Sequence, residues 1–110
     1  ATVAGIADSL GAFLGCSPAV VGDAGASVRR VGIVSGGAPE AVEACPAAGV
    51  DCLVTGEFDH QHVHTARELG VPVIAGGHYA TETPGVKAVL SRVQETFGIA
   101  CEFVDMPTGL

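Results

Sequence analysis

The apolar positions of this chain change period several times along its length, and each change marks a predicted element. Val3, Ile6, Leu10, Phe13 and Leu14 recur at helical spacing, which predicts a helix over residues 3–14 stopped by Gly15. Val20 and Val21 predict a short strand ahead of the turn Gly22-Asp23-Ala24-Gly25. From Arg30 onward the pattern is regular. Residues 30–35 form a β-branched run ended by Gly36-Gly37, and Pro39 opens a helix through Ala48 that Pro46 should distort or break. Residues 51–55 predict a strand, 58–69 a helix closed by Gly70, and 71–75 a third strand ended by Gly76-Gly77. Thr83-Pro84 predicts the start of a third helix running to about Phe97, and residues 99–104 read as a final strand before a Pro-Thr-Gly-Leu tail.

Strands that alternate with helices, and that are apolar on both faces, predict an α/β fold with a largely parallel or mixed sheet covered by helices. Residues 1–110 form a single domain on this reading, with no repeat, linker or low-complexity segment. In such sheets ligands gather at the carboxyl ends of the strands. The loops Ser35-Gly36-Gly37, Thr55-Gly56-Glu57 and Gly76-Gly77-His78 should therefore converge on one sheet edge.

Composition narrows the function more than it alters the fold. The formal charge is −7 and Lys87 is the sole lysine, so no clustered basic surface exists for DNA or RNA. No apolar run reaches the length of a membrane span, and no signal peptide is present, so no membrane role and a cytoplasmic location are expected. Cys16, Cys45, Cys52 and Cys101 include no CxxC pair, which predicts reduced thiols behaving as small hydrophobes, with Cys52 and Cys101 in buried strands. The sequence begins at Ala1 rather than Met, which predicts a processed chain or a piece of a longer one.

His78 and Glu82 are the first candidates for chemistry. Four residues apart across the expected strand-to-helix junction, they can project an imidazole nitrogen and a carboxylate oxygen into one space, a pairing suited to zinc, iron or manganese. The alternative is a capping carboxylate beside a hydrogen-bonded loop histidine. Glu57 follows a strand and a glycine, where it can orient water or ligate metal, or simply favour a helix start. His60, His62 and His64 share no common helix face; only His60 and His64 do. Ser35-Gly36-Gly37 can present backbone N–H groups to an anion, but it matches neither a Walker A loop nor GxGxxG.

Four motifs, taken together, resemble the C-terminal half of the Nif-three-like family. They are Val31–Ala38, Asp51–Glu57, the segment Gly76-Gly77-His78-Tyr79-Ala80-Thr81-Glu82-Thr83, and Phe103–Leu110. The resemblance covers roughly residues 29–110. It implies an α/β fold and a dinuclear metal site in which His78 and Glu82 are ligands. It also implies a homo-oligomer, a toroidal hexamer, and a metal-dependent hydrolase activity usually labelled GTP cyclohydrolase. The family's remaining ligands, a His-His pair and an Asp, belong to an N-terminal half with no counterpart here. A separate N-terminal partner would complete the site, or Glu57 or His60 would fill in. Glu57 is the candidate proton acceptor of such an enzyme. The competing expectations are a non-catalytic metal-binding or interaction scaffold, and an anion-binding domain built on Ser35-Gly36-Gly37.

Overall fold

The computed structural model describes all residues, Ala1–Leu110. Helix α1 (Val3–Leu14) opens the chain; the Thr2 hydroxyl caps it by accepting the Gly5 N–H at 3.2 Å. Strands β1 (Ala19–Val21) and β2 (Val31–Gly37) follow, then a 3₁₀ helix (Pro39–Ala44) and β3 (Cys52–Glu57). Helix α2 (His60–Leu69), strand β4 (Val73–Ala75) and the long α3 (His78–Phe97) complete the order.

The sheet runs β1-β4-β3-β2, with β2, β3 and β4 parallel and β1 antiparallel at the edge. It is therefore a mixed sheet in which β2 leads to β3, and β3 to β4, by parallel crossovers. The carboxyl ends of these three strands lie on one edge. β3 is central and buried on both faces, as its unbroken apolar run requires. Its alternation splits the core in two. Cys52 and Val54 pack with Ile74 under α1, against Val3 and Ala7. Leu53 faces the opposite way, onto Val42, Cys45, Ala66 and Val73 beneath α2 and the 3₁₀ helix. Burying each of Leu53, Val73 and Ile74 contributes about 1.5–3 kcal/mol.

Several elements depart from the sequence pattern, each for an identifiable reason. The buried stripe of α1 is Val3, Ala7 and Gly11, and Phe13 is 73% exposed. The segment after Pro39 is 3₁₀ and not α-helical: Pro46 has no N–H for the Val42 carbonyl, which instead accepts the Cys45 N–H at 3.2 Å. α2 begins at His60, because the Asp59 carboxylate caps it by accepting the His62 N–H at 2.9 Å. α3 begins at His78, well before Thr83, and carries Pro84 inside it.

Residues 99–104 are not a strand. They form a strap that pairs with no strand, and the chain from Phe103 onward is tied to α3. Lys87 Nζ sits 4.7 Å over the Phe103 ring, and the Tyr79 hydroxyl donates to Asp105 Oδ1 at 2.6 Å while accepting the Met106 N–H at 2.7 Å. The Tyr79 N–H donates to the Leu110 carbonyl at 3.1 Å. Cys101 is accordingly half-buried on this strap and outside the sheet, whereas Cys45 and Cys52 are buried; all four cysteines are free. Burial pushes the Cys52 thiol up to about 11, which keeps it an inert thiol.

Candidate functional site

The three strand ends do converge. β2 ends in Gly36-Gly37, β3 in Glu57, and β4 leads through Gly76-Gly77 into the first residue of α3, His78. Between Val34 and Gly37 the β2–β3 register slips: Val34 pairs with Thr55, and Gly37 with Glu57. The extra residue bulges β2 at Gly36, whose φ of +72° is left-handed. This bulge carries the backbone directly under α3. A Cβ at Gly36 would stand 2.5 Å from Glu82 Oε1 and 3.3 Å from His78 Nε2, and one at Gly37 would stand 3.1 Å from Glu57 Oε2. Two consecutive glycines thus form the floor on which the imidazole and both carboxylates rest.

His78 and Glu82 lie one turn apart on α3, so they meet along a helix face and not across a junction as the pattern of Thr83-Pro84 implied. His78 Nε2 is 3.3 Å from Glu82 Oε1, and His78 Nδ1 is 3.3 Å from Glu57 Oε2. The imidazole is therefore bracketed by two carboxylates, one on its own helix and one on the sheet. The Glu57 hydrogen bond, with the negative charges of Glu82 and Glu57 behind it, raises the His78 pKa above the ordinary 6.5 against a smaller opposing effect of desolvation. All three side chains are about half exposed, so the cluster opens to solvent.

Thr81 is a residue that spacing alone did not single out. Its hydroxyl accepts the Gly36 N–H at 3.1 Å and donates to the Gly77 carbonyl at 2.8 Å, pinning the first turn of α3 to the β2 bulge. Gly56 makes the approach possible: a Cβ there would collide with the Gly36 carbonyl and come within 2.6 Å of Thr81 Oγ1. The signal was present in the helical period, because Thr81 is three residues from His78 and returns to the same side. The Gly36 N–H, one of those offered to an anion by the Ser35-Gly36-Gly37 loop, is taken by Thr81.

The remaining histidines stand apart. His62 binds its own cap, with Nδ1 2.5 Å from Asp59 Oδ1, and the rings of His60 and His64 meet edge-on at 5.6 Å on the outer face of α2. None of them hydrogen-bonds or pairs with His78, Glu57 or Glu82.

His78 and Glu82 suit one divalent cation as a pair. Two donors each about 2.0–2.1 Å from a tetrahedral ion lie about 3.3–3.4 Å apart, which is the separation of Nε2 and Oε1. As a complete site the chain falls short, since no group of three or more His, Cys, Asp or Glu side chains is placed to hold an ion. The residues present fit part of a metal site.

Residues 1–108 match the Duf34/NIF3 (NGG1p interacting factor 3) family. The GTP cyclohydrolase 1 type 2 homolog of Deinococcus radiodurans is 43% identical over 91 residues, covering 83% of this chain and 35% of that protein. Among solved structures, TTHA1606 from Thermus thermophilus is 40% identical with a TM-score of 0.80, over 96% of this chain and 42% of that one. The protein ybgI, described as of unknown function, is 35% identical with a TM-score of 0.84, over 94% of this chain and 42% of that one. The chain thus spans well under half the length of the relatives it matches, and it belongs to the Duf34/NIF3 family.

Proposed function

We propose that this chain supplies one imidazole nitrogen and one carboxylate oxygen, from His78 and Glu82, to a divalent-metal site of a hydrolase-type NIF3 protein. The observation that carries the reading is the 3.3 Å bite between Nε2 and Oε1 at the edge of the sheet. The name of the relatives, GTP cyclohydrolase 1 type 2 homolog, supports a nucleotide as the class of substrate. Bound there, a cation supplies Lewis acidity toward a substrate oxygen and acidifies water. The protein's own part is to hold His78 and Glu82 rigid over the glycine floor. Glu57, beside them and half exposed, is the group in reach to accept a proton.

Two donors are one fewer than even a catalytic zinc takes from protein, so the chain alone holds a cation through His78 and Glu82 with water in the other positions, and further ligands come from elsewhere in the assembled protein. Apolar surface supports the presence of such a partner, whether the rest of a NIF3 chain or another subunit. Phe13 and Ile33, 73% and 74% exposed, line a cleft of about 520 Å³ with Leu10, Leu14 and Val34. Four free thiols suit a cytoplasmic location. Taken alone, the chain acts as a metal-binding and interaction module.

Zinc, iron and manganese content measured by mass spectrometry on wild-type protein and on His78→Ala tests the metal. Bound metal in the wild type and its loss in the variant is the expected result, and equal stoichiometry in the two refutes the assignment. GTP hydrolysis assayed with and without the retained metal then separates enzyme from module.

A further inference from the structure

The contact between Glu57 and His78 does more than place a third polar group in the cluster. A neutral imidazole has one N–H and one bare nitrogen, and only the bare nitrogen binds a cation. His78 Nε2 is the nitrogen that shares its approach with Glu82, so Nδ1 carries the hydrogen and requires an acceptor. Glu57 Oε2 is 3.3 Å away, an ion-pair contact not yet aligned as a hydrogen bond, as is common before a ligand draws a site together.

The origins of the three groups matter as much as the distances. Glu82 rides on the same helix as His78 and moves with it. Glu57 belongs to β3, the central buried strand, and therefore ties the ring to the sheet. Its backbone is held on both sides: Gly56 packs against the Gly36 carbonyl and Thr81, and Glu57 itself pairs with Gly37. At Gly37 the absence of a side chain leaves the Glu57–His78 contact open, since a Cβ there would come within 3.1 Å of Oε2 and 3.5 Å of Nδ1.

We propose that Glu57 is a positioning residue: it accepts the Nδ1–H of His78, fixes the tautomer and the ring plane, and so presents Nε2 beside Glu82 to a divalent cation. This rests on the metal reading above and adds a role to a residue that is not itself a ligand. The second oxygen of Glu57 stays free on the half-exposed side.

The test measures zinc affinity calorimetrically for the full chain as wild type, Glu57→Ala, Glu57→Gln and Glu82→Gln, with circular dichroism to confirm the fold of each. Loss of an outer carboxylate weakens metal binding about 10–100-fold, and that is expected for Glu57→Ala. Glu57→Gln keeps an accepting oxygen and is expected to recover most of the loss, whereas Glu82→Gln is not. Nitrogen-15 spectra of the zinc-loaded wild type should show a protonated Nδ1 and a zinc-bound Nε2. Glu57→Ala binding as tightly as wild type overturns the proposal, and so does Glu57→Gln failing as badly as Glu57→Ala, which makes Glu57 a ligand. In either case the wild type still binds zinc and the metal reading stands. Wild-type protein that takes up no zinc removes both.

Discussion

A side chain at Gly36 would displace the carboxylate of Glu82, because a Cβ there would stand 2.5 Å from its Oε1. The bulge of β2 and the first turns of α3 are built against one another at this point, and the carboxylate is the softer of the two.

Gly36→Ala should therefore separate fold from site. Forcing Ala into a left-handed conformation costs about 1–2 kcal/mol. The clash itself is relieved by rotating the Glu82 side chain, at little further cost to stability. Thermal unfolding is expected to show that modest loss with secondary structure intact, while zinc binding falls to the level of Glu82→Ala. Retained wild-type affinity would show that Glu82 does not need its place above Gly36.

The raised pKa of His78 gives the metal-free protein an unusual pH response. Protonated, the ring pairs with both carboxylates. That stabilisation is complete below the unfolded value near 6.5 and fades as pH rises through the higher folded value. Metal binding has the opposite sign, since the cation competes with the proton for Nε2. Denaturant titrations of metal-free protein between about pH 6 and 8.5 should show stability falling with pH, and His78→Asn should remove that component. With zinc present the slope should reverse in the wild type alone.

Much of this arrangement was legible in the sequence. The glycines after each β-branched run marked the strand ends, and the parallel order then obliged Gly36-Gly37, Glu57 and His78 to meet. Three things were not legible. The helix boundary at His78 was hidden because Pro84 imitates a helix start, and the strap at 99–104 was hidden because a short apolar run suggests a strand without saying what it pairs with. The bulge at Gly36 was invisible for a similar reason: two glycines announce a turn, and only the partner register shows the extra residue.

Thr55 offers a test of the core beneath the site. It is wholly buried on β3, and its hydroxyl has no hydrogen-bond partner. A buried, unpaired hydroxyl costs about 1–3 kcal/mol in desolvation. Thr55→Val keeps the branched shape and removes the hydroxyl, so it is expected to raise stability by about 1 kcal/mol. Chemical denaturation of the two proteins measures this directly. A destabilised valine variant would mean that the hydroxyl meets a partner in solution.

The interior proline of α3 carries its own compensation. Pro84 has no N–H, so the Ala80 carbonyl one turn back loses its helical donor. The Thr83 hydroxyl takes that place, donating to the Ala80 carbonyl at 2.9 Å. Thr83 and Pro84 are thus a matched pair within the helix, and not the cap and first turn their order suggests. Thr83→Val should cost about 0.5–1.5 kcal/mol in the native background. In a Pro84→Ala background the introduced alanine brings an N–H that serves the same carbonyl, and Thr83→Val should then cost almost nothing. A double-mutant cycle by thermal unfolding measures the coupling. Equal losses in both backgrounds would mean that the hydroxyl and the missing N–H act independently, and that the helix runs through Pro84 on packing against β2 and β3 alone.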